Sequence, residues 1–386
     1  MSTLEAKSWF ERNSKTTVLL VIMFILILIV VGLEKYFEYQ NHKNQINADY
    51  HVRYIRLRES PPLMSTYTWP SKREMECSDG LEYKKYRFRV DRNGFIFPSE
   101  KHSTPDKSIV FLGGSTTECQ FVQEEKRFPY LVGCLLEKKL GKKINSYNGG
   151  TSGDNSMHLL FCLMAKVLPL NPSAVVLMEN INDLVMLLYD KSYYSENPTA
   201  SIIVTEDYSV IGLIRILMKK LIPNLYQAAL QFIDIRRYVQ RAMYGDEFAY
   251  ITKGKQISEK EKSKIIKEFK TNLQLFIDIC KIKGISPVLM TMASRLKDNP
   301  DEVTLKEIKR LRVDLSYQDF KELFDNMNEA IRSKANENGI MVIDLARQIP
   351  QDRDYIYDCV HFTDKGSVKA AEIISSNLAP LLSQAN

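Results

Sequence analysis

The chain has no run of lysine and arginine interleaved with aromatic residues, which removes the usual footprint of a nucleic-acid groove. Its formal charge of +6 is spread over 386 residues and reads as a solvated surface. Tandem repeats and low-complexity tracts are absent, which excludes solenoids and biased arrays. The six cysteines, Cys77, Cys119, Cys134, Cys162, Cys280 and Cys359, show none of the close spacings of a compact metal site. Cys119, Cys134 and Cys162 sit among apolar neighbours and read as buried thiols, and spacing pairs none of the six as a disulfide.

One uncharged stretch stands out against this ordinary composition. Thr16 to Leu33, "TTVLLVIMFILILIVVGL", is almost entirely aliphatic and has no polar face. Its 18 residues at about 1.5 Å rise each just span a hydrocarbon core. The alternative is a cleaved signal peptide. The run is long for one, and the following "EKYFEYQ" offers no small-residue cleavage site. The segment therefore reads as an uncleaved N-terminal anchor. Lys7, Arg12 and Lys15 precede it, whereas Lys35 and Lys43 follow among Glu34 and Glu38. That slight bias favours a short cytoplasmic tail and a main domain in the periplasm or otherwise outside the cytoplasm.

The expected organisation is a tail over residues 1–15, an anchor over 16–33, a stalk and lead-in over 34–105, and one main domain over 106–386. In the lead-in, "YKKYRFRVDRNGFIFPSE" alternates large apolar and charged residues around a turn, which predicts a β-hairpin. From residue 107 short apolar runs, "SIVFLG", "KINSYN", "AVVLME", "SPVLMTM" and "IMVIDL", alternate with longer helical stretches. That pattern predicts an α/β fold, a parallel sheet covered on both faces. Ser258 and Glu261 form a capping box for a long amphipathic helix that Gly284 stops. An insert over about 190–255 is helical and apolar, with Arg215, Lys219, Lys220, Arg236 and Arg237 interspersed. It reads as a helical cap over the sheet, or as a surface touching lipid beside the anchor.

Parallel sheets present ligands at the carboxyl ends of their strands, so the polar groups there are the candidates. The first strand runs into Gly113, Gly114 and Ser115; the second into "YNGGTSGDNS"; the third into "ENINDL"; and "YDCVHFTDKG" follows the last. Serine is a weak nucleophile and needs a base. Asp358 and His361 are three residues apart, a spacing that lets the carboxylate orient the imidazole while its other nitrogen faces Ser115. Backbone N–H groups of Ser115 and the glycine loop, with the amide of Asn182, supply donors for an oxyanion. Gly-Gly-Ser-Thr lacks the Gly-Lys-Ser/Thr ending of a phosphate loop.

These four blocks, in this order, resemble the SGNH family of esterases and lipases, also called GDSL-type hydrolases. "GGST" matches its nucleophile block, "NGGTSGD" its glycine block, "NIND" its third block and "DCVH" its Asp-x-x-His block. The resemblance covers roughly residues 106–386 and implies a flavodoxin-like three-layer α/β/α sandwich with a central parallel sheet. It also implies a triad of Ser115, His361 and Asp358, with Ser115 N–H, Gly153 N–H and Asn182 as oxyanion donors. No cofactor or metal enters that chemistry. Two positions depart from the family: Gly114 stands where many members carry Asp, and Asn180 where the third block usually carries Gly.

The resemblance implies a serine esterase acting on an O-acyl ester, such as O-acetyl, of a small molecule or a cell-envelope glycan, and the apolar run at Thr16–Leu33 makes it a membrane-anchored one. Two alternatives remain: an O-acyltransferase using the same triad in polysaccharide modification, and a non-catalytic assembly subunit that keeps the fold. Other polar residues have plainer readings. His158 reads as structural, Asp154 and Asn155 as caps of the helix they precede, and Asp183 as a buttress for the Asn182 loop. Cys119 and Cys359 read as packing, and Arg295 as a surface group or an anion contact.

Overall fold

The computed structural model describes residues 13–43, 52–194, 201–206, 217–218, 221–222, 225, 257–311, 313 and 315–384. The chain divides into two compact units, Met1–Tyr54 with Thr205–Tyr226, and Ile55–Val204 with Gln227–Asn386. The first contains helix α1 (Ser14–Lys43), whose apolar residues from Val18 to Leu33 are all exposed. Most of the insert expected at 190–255 lies outside the described residues.

The second unit is built on five parallel strands: β1 (Lys107–Gly113), β2 (Ile144–Gly150), β3 (Ala174–Met178), β4 (Ser286–Met290) and β5 (Met341–Ile343). Their order across the sheet is 2-1-3-4-5, the flavodoxin-like arrangement. Residues Ile109 to Leu112 and Ala174 to Met178 are buried along their whole length. A strand covered on both faces has no solvent side, so its sequence shows a continuous apolar run and no alternation. The flanking helices are α2 (Phe128–Leu140), α3 (Ser156–Cys162), α4 (Ile181–Tyr189), α5 (Glu259–Ile282), α6 (Glu302–Leu311), α7 (Tyr317–Glu337) and α8 (Asp364–Gln384). Helix α2 packs on β2 and α8, whereas α5 packs on α3 and α7. The Ser258–Glu261 capping box starts α5, and Gly284 follows its end at φ +68°.

Strand β2 is an edge strand, yet it is buried throughout despite Asn145, Ser146 and Asn148. The segment before the sheet covers it. Asn145 Oδ1 accepts the N–H groups of Lys101 and His102, and Ile96 bridges to Asn148. The Asn145 side chain and the Asn148 carbonyl therefore bond the covering segment and close that edge. The hairpin expected around Asp91–Gly94 is reduced to one bridge, Val90 to Ile96. Asp91 does form the turn, taking the N–H groups of Asn93 and Phe95. The strand Tyr86–Arg89 pairs instead with Ser65–Thr68, because the return arm is spent on the sheet edge.

Arg127 fastens this covering segment. It is 1% exposed, and its guanidinium donates to the carbonyls of Cys119, Phe97 and Arg87 at 3.2, 2.6 and 2.9 Å. It also faces the Phe88 ring at 5.2 Å. Removing it leaves three buried acceptors without their donor, each costing about 1–3 kcal/mol. Arg127→Ala is expected to lower the unfolding free energy by about 3–5 kcal/mol in chemical denaturation. A loss below about 1 kcal/mol would show that the carbonyls find other donors.

Candidate active site

The strand order reverses at β1, whose neighbours β2 and β3 lead away on opposite sides. Such a switch point leaves a crevice at the strands' carboxyl ends. There β1 stops at Gly113, and a four-residue helical turn, Ser115–Glu118, begins one residue later. Ser115 is the first residue of that turn, so its N–H has no partner within the helix.

The loop after β5 brings up the partners. His361 Nε2 lies 2.7 Å from Ser115 Oγ, and His361 Nδ1 lies 2.6 Å from Asp358 Oδ2. Asp358 Oδ1 accepts the N–H groups of Val360 and His361 at 2.9 and 2.8 Å. The imidazole stacks on the Tyr357 ring at 5.6 Å between centroids. Burial opposes ionisation of Asp358, but the His361 charge and these hydrogen bonds outweigh it and hold the carboxyl below its usual range. Burial also lowers the imidazole, and Asp358 overcomes this to leave His361 raised above its ordinary value.

The other two blocks meet beside Ser115. Asn182 Nδ2 donates to the Asp154 carbonyl at 2.7 Å, leaving the second amide proton of that nitrogen for another acceptor. Gly153 adopts φ +77°, and among the described residues its N–H has no backbone partner. A Cβ on Gly114 would lie 2.3 Å from Asn182 Nδ2 and 2.9 Å from Glu179 Oε2. That is why Gly, and no Asp, stands there: the space is already taken. The second departure is also accounted for. Asn180 is buried and its amide donates to the Phe324 carbonyl and Asn328 Oδ1 at 3.0 and 3.2 Å, tying the third block to α7.

The structure brings Ser115, Asp358 and His361 into one hydrogen-bonded line, with Asn182 against the adjoining Gly114 and Gly153 beside Asp154. A cavity of about 90 Å³ opens there, with Ser115, His361, Phe121, Glu74, Glu307 and Arg310 in its wall. The plainer readings fare unevenly. Asn155 caps α3 through the N–H groups of Met157 and His158, and His158 Nδ1 completes that box. Asp183 accepts from Ser156 N at 2.9 Å and from Ser156 Oγ and the Tyr193 hydroxyl, joining the second and third blocks. Asp154 is no cap: it is fully buried and faces Arg58 Nε at 3.1 Å. Arg295 is not on the surface; it is buried against the carboxylates of Asp79 and Asp301. All six cysteines are free, and burial pushes the Cys119 thiol up to about 12.

Four groups escaped the sequence. Glu179 Oε1 accepts the N–H groups of Asn180 and Asn182 at 3.0 and 3.3 Å, and burial raises its carboxyl well above the usual range. Burial takes Glu118 to about 7 and Asp154 to about 8, the latter against the pull of Arg58. The Glu307–Arg310 pair joins through Arg310 Nε at 2.7 Å. Of these residues only Asp154 falls within a motif block, where it reads as a cap.

A scan of protein-family models finds no match, and no curated protein matches the sequence. Among solved structures the chain is similar to an acetylxylan esterase from Geobacillus stearothermophilus, at 14% identity over 72% of this chain and 94% of that one, with a TM-score of 0.40. It is similar to a lipase/acylhydrolase from Enterococcus faecalis at 15% identity, covering 71% and 96%, with a TM-score of 0.39. An α/β hydrolase enzyme from the metagenome of Lake Arreo, Spain, aligns at 13% identity, covering 73% and 97%, with a TM-score of 0.41. Likeness at this level assigns no activity, and the chemistry rests on the geometry above.

In ring-resolved NMR titration, His361 is expected to titrate above the ordinary imidazole value of about 6.5. In Asp358→Asn it should titrate lower than in the wild type, because burial is then opposed only by Glu307. A folded value above the unfolded one stabilises the fold fully below the unfolded pKa, and that contribution is lost as pH rises through the folded pKa. A wild-type value below about 6.5 would contradict the assigned pairing.

Proposed function

We propose that this protein is a membrane-anchored serine esterase that hydrolyses a short O-acyl ester, with O-acetyl groups on a cell-envelope glycan as its substrate class. The observation that carries the reading is the unbroken line Asp358–His361–Ser115, at 2.6 and 2.7 Å, opening into a small cavity at the sheet's switch point.

In this reading His361 Nε2 takes the Ser115 proton as Oγ attacks the ester carbonyl. Asp358 holds the ring with Nδ1 protonated and stabilises the imidazolium. The N–H groups of Ser115 and Gly153 and the free amide proton of Asn182 take the oxyanion. The alcohol leaves with the proton from His361. Water then attacks the acyl-enzyme, gives its proton to His361, and the acid departs as Ser115 is restored.

A cavity of roughly 150 Å³ holds benzene; one of about 90 Å³ suits an acyl group of about two or three carbons. The carboxylates of Glu74 and Glu307 and the Arg310 guanidinium in its wall are hydrogen-bonding partners for a hydroxyl-rich leaving group. Helix α1 supports the membrane location, because a run of exposed aliphatic residues from Val18 to Leu33 far exceeds the apolar patches of soluble monomers and is satisfied by a hydrocarbon core.

Hydrolysis of p-nitrophenyl acetate is expected, exceeding the octanoate ester by at least about tenfold in kcat/KM. The rate should rise with pH through one ionisation, that of the raised His361, since only the neutral ring is a base. Ser115→Ala should abolish turnover with the thermal midpoint nearly unchanged, and Asn182→Ala should cost about 10²–10³ in kcat. An unchanged kcat in Asn182→Ala would remove that residue from the oxyanion site. Transfer to an added oligosaccharide outrunning hydrolysis would make the protein an acyltransferase with the same groups. A folded protein that neither turns over nor labels Ser115 with a fluorophosphonate would overturn the enzymatic reading.

A further inference from the structure

One side chain outside the sheet bears directly on the glycine loop. Arg58 lies in the segment before the strand Ser65–Thr68, with 19% of its side chain exposed. Its Nη2 donates to the Ser152 carbonyl at 3.2 Å and its Nη1 to the Gly153 carbonyl at 3.3 Å. Its Nε stands 3.1 Å from Asp154 Oδ1. One planar guanidinium thus holds three consecutive residues, a use that its fork of donors permits and an ammonium does not.

The peptide plane links this clamp to the chemistry. The Ser152 carbonyl and the Gly153 N–H belong to one rigid trans unit and point in opposite directions. Fixing that carbonyl on Arg58 therefore turns the Gly153 N–H to the side away from Arg58. Ser152 itself lines the cavity that contains Ser115 and His361. Farther along the loop, the next carbonyl, that of Asp154, is held by Asn182 at 2.7 Å. A Cβ at Gly153 would meet Arg58 Nη2 at 3.3 Å and would demand a left-handed backbone, so the loop admits no side chain under the clamp.

We propose that Arg58 is a positioning residue of the oxyanion site: by holding the Ser152 carbonyl, it aims the Gly153 N–H at the developing charge. The inference rests on the serine-esterase reading. A purely structural role would be to neutralise the buried Asp154 carboxyl, which Arg58 faces at 3.1 Å.

The full-length protein in detergent, assayed on p-nitrophenyl acetate, separates these roles. Arg58→Ala is expected to lower kcat by about 10- to 100-fold with KM changed less than about threefold, since a misaimed donor is felt in the transition state. Arg58→Lys should be nearly as slow. Added guanidinium should restore part of kcat in Arg58→Ala and none in Asn182→Ala. The double variant Arg58→Ala/Asp154→Asn should stay slow, whereas recovery there would show that charge neutralisation was the whole role. A folded Arg58→Ala with kcat within about twofold of wild type would overturn the proposal. Should that variant fail to fold, Arg58→Lys decides by the same criterion. Wild-type protein without Ser115-dependent turnover would overturn the esterase reading and this inference together, whereas wild-type turnover with an unimpaired variant overturns this inference alone.

Discussion

The site depends on a missing side chain. Three strand ends and their loops converge at Gly114, where a single Cβ would sit 2.3 Å from the amide of Asn182. Real Cβ contacts do not come that close, so any other residue forces Asn182 or the Glu179 carboxyl away. Asn182 in turn holds the Asp154 carbonyl, and Asp154 adjoins Gly153. Displacement at Gly114 would therefore spread into both loops that flank Ser115. The close approach is what allows groups separated by some 246 positions in the chain, Ser115 and His361, to meet in a crevice whose other wall is already full.

The electrostatics follow from that crowding. Several carboxyl groups are buried within this small volume, and they do not share one state. Glu118 is raised to about 7, Asp154 to about 8, and Glu179 well above the usual range, all chiefly by burial. Asp358 is as deeply buried but moves the other way, because an imidazole and two backbone amides favour its charged form. The neighbouring charge decides the difference: Glu179 also accepts two backbone amides, but it faces the Asp183 carboxyl, whereas Asp358 faces an imidazole. Glu179 keeps the backbone of Asn182 in place by accepting its N–H.

Much of this was legible in the sequence. Five apolar runs gave the five strands because a doubly covered parallel strand cannot hide its character. The Ser258–Glu261 box and Gly284 marked α5 because helix ends must satisfy their own backbone groups. Ser115, Asn182, Asp358 and His361 were legible because strand ends concentrate them in short blocks. The hairpin was legible in its turn and its one bridge, Val90 to Ile96, but not in the further partner of Tyr86–Arg89, which lies earlier, at Ser65–Thr68. Arg295 was misread because nothing local reveals that Asp79, 216 residues away, supplies its carboxylate. Glu179 and Arg58 left no signal at all: one looked like the end of a strand, the other like a charge in a charged stretch.

Arg58 and the hairpin lie outside the repeating strand–loop–helix plan. A parallel sheet supplies reacting groups from its own carboxyl ends, but its edge must still be covered, and the covering segment is not bound by the sheet's periodicity. Here that segment seals β2 through Lys101 and His102, is fastened by Arg127, places Glu74 in the cavity wall, and carries Arg58 to the glycine loop. The same chain that removes an open edge thus reaches the groups beside Ser115. Once an edge cover lies against the loop after β2, any long donor on it is within reach of that loop's carbonyls, and fixing those carbonyls fixes the direction of the N–H groups on the far side of each peptide plane. The candidate groups Ser115, Asp358 and His361 follow strands of the sheet, whereas Arg58 reaches the glycine loop from outside it.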